Sequence, residues 1–440
     1  MIFILYLPGM ILVYTSKATS RARYIFDFLL NGILGQEMDL VTDRSVYDSF
    51  DGPRINYSGE DDRPGLFFEP AGLLHERGIR GHDLNFMEYG EVPVCFPVFN
   101  KKSVLPFDLF SYAFYLLARY EEYLPYVRDA FGRFRAEDSI AWREGFLRKP
   151  VIDILAFRLM DILQQAYPRL EKVPRNYRFI STIDINAAYA YKHKGIVRIA
   201  WGIARTLRDL NGASLLQQLR VFLNREPDPF DHYGEQLAIQ RKYGLDVIYF
   251  VLFSPYGTND RNISVNNRKF QVLIKTLGDY SRVGIHASFG STHNPGQLSG
   301  EIQNLSWVLK REIECVRQHL LLLQIPQTYR NYINEDIFED YSMGYPMDPG
   351  FRAGTSYPFR FFDLDMETIT KLVVHPFAFQ DIAFENGYTL KDYTELTGQV
   401  SAVNGDMILL FSNENFSRKI LNKKGLELYE MLINYGTGNI

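Results

Sequence analysis

Residues 178–189, RFISTIDINAAY, decide how this chain is to be understood. Arg178 to Ile183 is rich in β-branched and aromatic residues, which suit a pleated, half-buried surface, so a strand is expected here. It runs into Asp184 and Asn186. Residues two apart in a strand point to the same side. A carboxylate and an amide therefore project together from a strand's C-terminal end. Two carboxylates there would indicate a metal with a general base beside it. One carboxylate and one amide leave two readings, an active site or the remains of one.

Downstream the same pattern repeats. LDVIYFVLF (245–253), VGIHASF (283–289), KLVVHPF (371–377) and DMILLFS (406–412) are strand-like. Helix-length segments separate them, among them LSWVLKREIECVRQHLLLL (305–323), expected to be one helix. Alternating strands and helices predict parallel strands with crossover helices. About 260 residues of this pattern suit a barrel-like α/β domain.

Upstream, ILVYT (11–15) reads as a buried strand and SRARYIFDFLLNGILG (20–35) as a helix ended by Gly35. FDLFSYAFYLLARYEEYLP (107–125) predicts a helix capped by Asp108 and ended by Pro125, and VIDILAFRLMDILQQAY (151–167) predicts another. PRLEKVPRN (168–176) has the composition of a linker. The chain of 440 residues exceeds one ordinary core. Two domains are therefore expected: a smaller α/β domain over 1–172 and the barrel over 173–440.

Composition excludes several classes. A net charge of −4 without a basic block argues against a nucleic-acid partner. Two cysteines, Cys95 and Cys315, rule out a disulfide framework or zinc ribbon and fit a reducing, cytoplasmic setting. The apolar N-terminus has no basic n-region, is interrupted by Pro8-Gly9, and is shorter than the ~20 residues of a spanning helix, so neither a leader nor a transmembrane segment is expected. Met10 is an alternative start. The 29 Tyr and 33 Phe suit sugar handling and aromatic-rich cores equally.

In a βα barrel, chemistry sits at the strands' C-terminal ends. Asp184 and Asn186, then His286 with Ser288, Ser291 and His293, then His375, then Ser412-Asn413-Glu414 all fall there. Each has a plainer reading. Asp184 can cap a strand end. His286 can be a hydrogen-bonded structural histidine, and His375 can pack under a loop. Arg317 sits where a helix C-terminus favours a cation. Arg352 lies in the loop GFRAGTSYPF (350–359), the kind of segment that often carries binding residues.

Taken together, these runs resemble a known family. FSYAFYLLARYEEYL, DAFGRF and GFLRKPVID look like the N-terminal domain of a Bacteroidetes-type polysaccharide deacetylase-like family. STIDINAAYAYKHKG, VGIHASF, VRQHLLLLQIPQTYRNYI, EDYSMGY and GFRAGTSYPFRFFDL match its second domain in order. That domain is similar to carbohydrate esterase family four, whose fold is an incomplete (β/α) barrel. The resemblance implies metal-assisted amide hydrolysis: an Asp as general base, a second Asp and two His holding a divalent metal, an Arg steadying the base, and a late His as general acid.

Carried onto this chain, Asp184 falls on the base, Asn186 on the metal Asp, and His286 on the first metal His. The second His position is Gly290, with His293 a displaced substitute. Arg317 matches the base-steadying Arg, with Arg352 as a rival. Ser412 stands where relatives carry the acid His. The implied ion is zinc, and the implied partner an N-acetylated glycan or sugar contacted by Arg352, Tyr341 and His319. The departures also fit a catalytically silent glycan-binding relative, or a scaffold protein of polysaccharide biosynthesis.

Overall fold

The computed structural model describes residues 10–438 apart from 174, 196–198, 200–207 and 209–211. The apolar run expected at 1–9 lies outside the described residues. Among those described, no helix is long and apolar enough to cross a membrane.

The chain opens with β1 (Ile11–Thr15), whose five residues are all buried. It lies inside a parallel four-stranded sheet, between β2 (Met38–Val41) and β3 (Arg54–Tyr57), with β4 (Leu66–Phe67) outermost. Central position in a two-sided sheet explains why ILVYT carries no alternation. The following helix, Ser20–Phe26, is capped by Thr19 and continues as a π-helical stretch, Asp27–Ile33. Gly35, at φ +65°, then reverses the chain. A short hairpin follows, β5 (Met87–Tyr89) with β6 (Val92–Val94).

Asp108 caps the helix Leu109–Leu117, its Oδ1 accepting from the Phe110 and Ser111 amides. This helix is shorter than expected. It stops at Arg119, which is left-handed at φ +52°, well before Pro125. The helix Val151–Ala166 matches the expected 151–167 closely. The linker that the sequence places at 168–176 follows this helix and precedes the second sheet.

The second sheet has nine strands. They are β7 (Arg178–Ile185), β8 (Asp246–Val251), β9 (Arg282–Ala287), β10 (Cys315–Gln318), β11 (Glu339–Asp340), β12 (Phe359–Asp363), β13 (Thr368–Val374), β14 (Phe379–Gln380) and β15 (Asp406–Ser412). Their order is β12-β13-β11-β10-β9-β8-β7-β15-β14, and every pair is parallel except β12 with β13. The order is linear, and the terminal strands β12 and β14 are not paired with each other. The architecture is mixed α/β around an open, mainly parallel sheet.

Two observations show that the sheet is strongly curved. Side chains of alternate residues, including Ile180, Ile248, Phe250, Cys315, Ile408 and Leu410, form a buried cluster of their own. Their neighbours Ile183, Tyr249, Ile285, Leu409 and Phe411 belong to the larger core under the helices. In addition, Arg317 on β10 touches Thr182 and Asp184 on β7, three strands away. In a flat sheet that gap is roughly 14 Å, beyond one side chain. The concave face is thus a small core whose upper end meets the strand C-termini.

The helix expected at 305–323 is corrected. The helix is Pro295–Leu309, and Lys310 in a left-handed cap (φ +58°) ends it. Cys315–Gln318 is then a strand, buried on both faces and parallel to β9 with Arg317 opposite His286. A short, wholly buried parallel strand has no alternation to separate it from an apolar helix.

Candidate functional site

Asp184 closes the inward-facing row Ile180, Thr182, Asp184 on β7. Arg317 crosses the concave face to meet it. Its Nη1 donates to Thr182 Oγ1 (2.7 Å) and Asp184 Oδ1 (2.9 Å), and its Nε donates to the Tyr341 carbonyl (2.9 Å). The guanidinium lies 4.6 Å from the centre of the Phe250 ring and is fully buried. Gly284 on β9 keeps this space open, since a Cβ there would stand 2.7 Å from the Phe250 ring. Burial lifts the Asp184 pKa, and the Arg317 charge works against that lift without cancelling it. Arg317 thus pairs with the Asp184 carboxylate, and it does so from a strand.

Two imidazoles stand beside this pair. His286 Nδ1 lies 3.0 Å from the Arg317 carbonyl, and His319 Nε2 lies 3.1 Å from the Asn259 carbonyl. A carbonyl only accepts, so each of these nitrogens carries the hydrogen of a neutral ring. The remaining nitrogens, His286 Nε2 and His319 Nδ1, then hold lone pairs, and they face each other at 3.0 Å. Asn186 Oδ1 is also 3.0 Å from His286 Nε2. The amide's orientation follows from its other end, where Nδ2 donates to Glu414 Oε2 (3.3 Å). Three acceptors thus converge with no hydrogen between them. Burial holds His286 well below the ordinary histidine range, with His319 and Arg317 pushing the same way. Burial lowers His319 too. A proton shared between the two rings is therefore disfavoured.

On the other side of Asp184 the last strands bring two more carboxyls. Asp381, just after β14, accepts from the Ser412 amide (2.6 Å) and from Asn415 Nδ2 (2.8 Å), and burial pushes it up to about 6. Burial likewise pushes Glu414 up to about 7. Ser412 lies opposite Asp184 in the register.

The structure brings together Asp184, Asn186, His286, Arg317 and His319. His319, expected as a sugar contact, stands beside His286 with its Nδ1 3.0 Å from His286 Nε2. His293 does not join them: it is exposed on the short helix Phe289–His293, against the Phe289 ring. A Cβ on Gly290 would point at Gln297 (2.6 Å), which is committed to Ser288 and Glu301. Tyr341 turns away from the mouth. Its hydroxyl donates to Glu339 Oε2 (2.8 Å) and its ring stacks on His375. Arg352 is buried in a bidentate pair with Glu122 (2.9 and 2.6 Å), so it is closed to a ligand.

Of the expected site residues, Tyr341, Arg352 and His293 thus lie apart from this cluster. Sequence reasoning missed Asp381 and gave Glu414 no role. The signal for His319 is its place two residues after Arg317, just past the end of the strand Cys315–Gln318. Among the described residues no three His, Cys, Asp or Glu side chains form a metal-holding group; the converging set here is two imidazoles and an amide.

Residues 11–168 match a family described as a family of unknown function (DUF7033). No curated protein matches the chain. Among solved structures, it is similar to a Mycobacterium smegmatis protein described as a polysaccharide deacetylase. That match has 11% identity and a TM-score of 0.38 over 60% of this chain and 85% of the other. It is similar to PuuE allantoinase at 8% identity and a TM-score of 0.37, over 62% of this chain and 92% of the other. A CE4 family pseudoenzyme from Bacillus anthracis matches at 10% identity and a TM-score of 0.30, over 61% of this chain and 63% of the other.

Proposed function

We propose that this chain is a polysaccharide deacetylase-like protein, with a smaller domain over 1–172 and a deacetylase-like domain over 173–440. It would take an N-acetylated glycan or sugar at the mouth of the curved sheet. The observation that carries this reading is the convergence of His286 Nε2, His319 Nδ1 and Asn186 Oδ1 beside the Arg317-held carboxylate of Asp184. Metal-bound histidines typically donate their second N–H to a carbonyl or carboxylate, which fixes the tautomer, and both rings here do so. The donor set fits a divalent ion of borderline softness such as zinc. Its affinity would be weaker than with a carboxylate at 186, because an amide oxygen is neutral.

When bound, such an ion polarises an acyl carbonyl and brings its water toward a pKa of ~7. Asp184 would take the proton from the attacking water, with Arg317 fixing the angle of the carboxylate. Glu414, protonated over part of the neutral range, would supply the proton that the departing amine needs and that Ser412 does not.

A second reading is favoured by the Asn186 amide, which already bridges His286 and Glu414. In that reading the mouth binds a glycan and does not hydrolyse it. Two measurements decide. Protein purified without added metal is expected to retain zinc by elemental analysis, and His286→Ala to lose it. Acetate release from N-acetylglucosamine oligomers is expected from the parent and not from Asp184→Ala. Metal retained without acetate release would select the binding reading. Zinc titrations indistinguishable between the parent and a His286→Ala/His319→Ala double variant would sink the metal site.

A further inference from the structure

We propose that the N-terminal part of the chain completes this site, with Arg133 as the positioning residue for the His319 imidazole. The inference rests on the reading of His319 given above. It starts from DAFGRF (129–134), which forms a tight reversal. The Gly132 amide donates to the Asp129 carbonyl, the Asp129 amide donates to the Arg133 carbonyl, and Arg128 and Phe134 form an antiparallel bridge. Phe134 anchors the reversal, buried edge-on against Tyr126. The Asp129 carboxylate accepts from both the backbone N (2.9 Å) and Nε (2.7 Å) of Arg133. The guanidinium is thus aimed by its own turn before it meets anything else. Its Nη1 then donates to the carbonyl of Leu320 (2.8 Å), 187 residues away.

That carbonyl belongs to an unusual turn. Leu320 and Leu321 are both left-handed, at φ +57° and +52°. Consecutive bulky residues seldom hold this conformation unless the surroundings impose it. The turn's own backbone bonds run from Leu322 to His319 and from Leu323 to Leu321, and the Leu320 carbonyl accepts neither. Leu321 plugs the small core of the concave face, and His319 is the residue just before the turn. Arg133 from one side and Leu321 from the other therefore hold the turn that aims His319 Nδ1 at His286 Nε2. This gives DAFGRF a role in the site although none of its residues reaches the mouth.

The test uses the full chain and cobalt(II), whose visible absorbance reports imidazole ligation, together with 15N NMR of the histidine rings without metal. Arg133→Ala is expected to weaken cobalt affinity about tenfold or more and to split the single His319 tautomer signal. Arg133→Lys, which keeps one donor, is expected to recover part of both. Leu320→Gly takes up positive φ freely, so adding it to Arg133→Ala is expected to restore affinity; a purely structural role for Arg133 would not respond this way. If His319→Ala loses cobalt while Arg133→Ala and Arg133→Lys bind like the parent, the positioning role is overturned. If His319→Ala binds like the parent, the metal reading fails instead. The NMR arm then judges Arg133 alone, and unchanged His319 signals in Arg133→Ala overturn the role. Should Arg133→Ala not fold, Arg133→Lys and the Leu320→Gly double variant decide by the same readouts.

Discussion

Asn186 is the residue on which the two proposed readings divide. Its oxygen meets His286 and its nitrogen meets Glu414. Asn186→Asp would put a negative oxygen where the lone pairs converge. If the set holds an ion, a charged carboxylate is a better ligand than a neutral amide, so zinc affinity by calorimetry is expected to rise about tenfold, roughly 1.4 kcal/mol. Gly290→His should not give the gain that the spacing of the resemblance implies. Its side chain would drive into Gln297 and the Ser288–Glu301 bonds. Unchanged zinc affinity and lowered stability are expected for it. A gain from Gly290→His would show that position 290 faces the ion after all.

At the scale of elements, the concave face depends on what β9 leaves out. Gly284→Ala would place a methyl 2.7 Å from both Phe250 and Cys315. Overpacking of this kind costs about 1–3 kcal/mol, measurable by urea denaturation, and it should disturb the Arg317–Asp184 pair above it. The helix Pro295–Leu309 carries a second testable group. Glu301 is buried against Ser288 and pushed up to about 7 by that burial. The folded chain therefore keeps a proton that the unfolded chain releases near its usual value of 4.5. This stabilisation is fully present below ~4.5 and is lost as pH rises through about 7. Glu301→Gln is expected to flatten the fall in stability between pH 5 and 8 by roughly 2–3 kcal/mol, compared by denaturant midpoints across that range. An unchanged slope would mean that other carboxyls account for the fall.

Over the whole molecule, buried ion pairs tie the N-terminal part to the curved sheet. Arg352 is held by Glu122, which also takes Arg119, and Arg21 pairs with Glu367. Tyr24 donates to the Arg360 carbonyl across the same boundary. Breaking a buried pair by removing one partner costs about 3–5 kcal/mol, because the other charge stays buried. Arg352→Ala is therefore expected to lower the urea midpoint strongly. Binding of an N-acetylglucosamine oligomer should stay unchanged under conditions where the variant is folded. A variant of parental stability with weakened oligomer binding would return Arg352 to the ligand site.

The sequence alone determined where the main strands of the second sheet run, because β-branched runs bounded by polar residues are local signals. It also placed Asp184, Asn186 and His286 at strand C-terminal ends, since a period of two needs no tertiary information. It could not tell the strand at Cys315–Gln318 from a helix, and so it could not put Arg317 and His319 on the rim. Nor could it see that His319 and not His293 lies beside His286, or that Glu122, 230 residues upstream, pairs with Arg352. Those choices depend on which side chains meet across strands. Sheet curvature and register decide that, and both arise from packing the whole chain around its core.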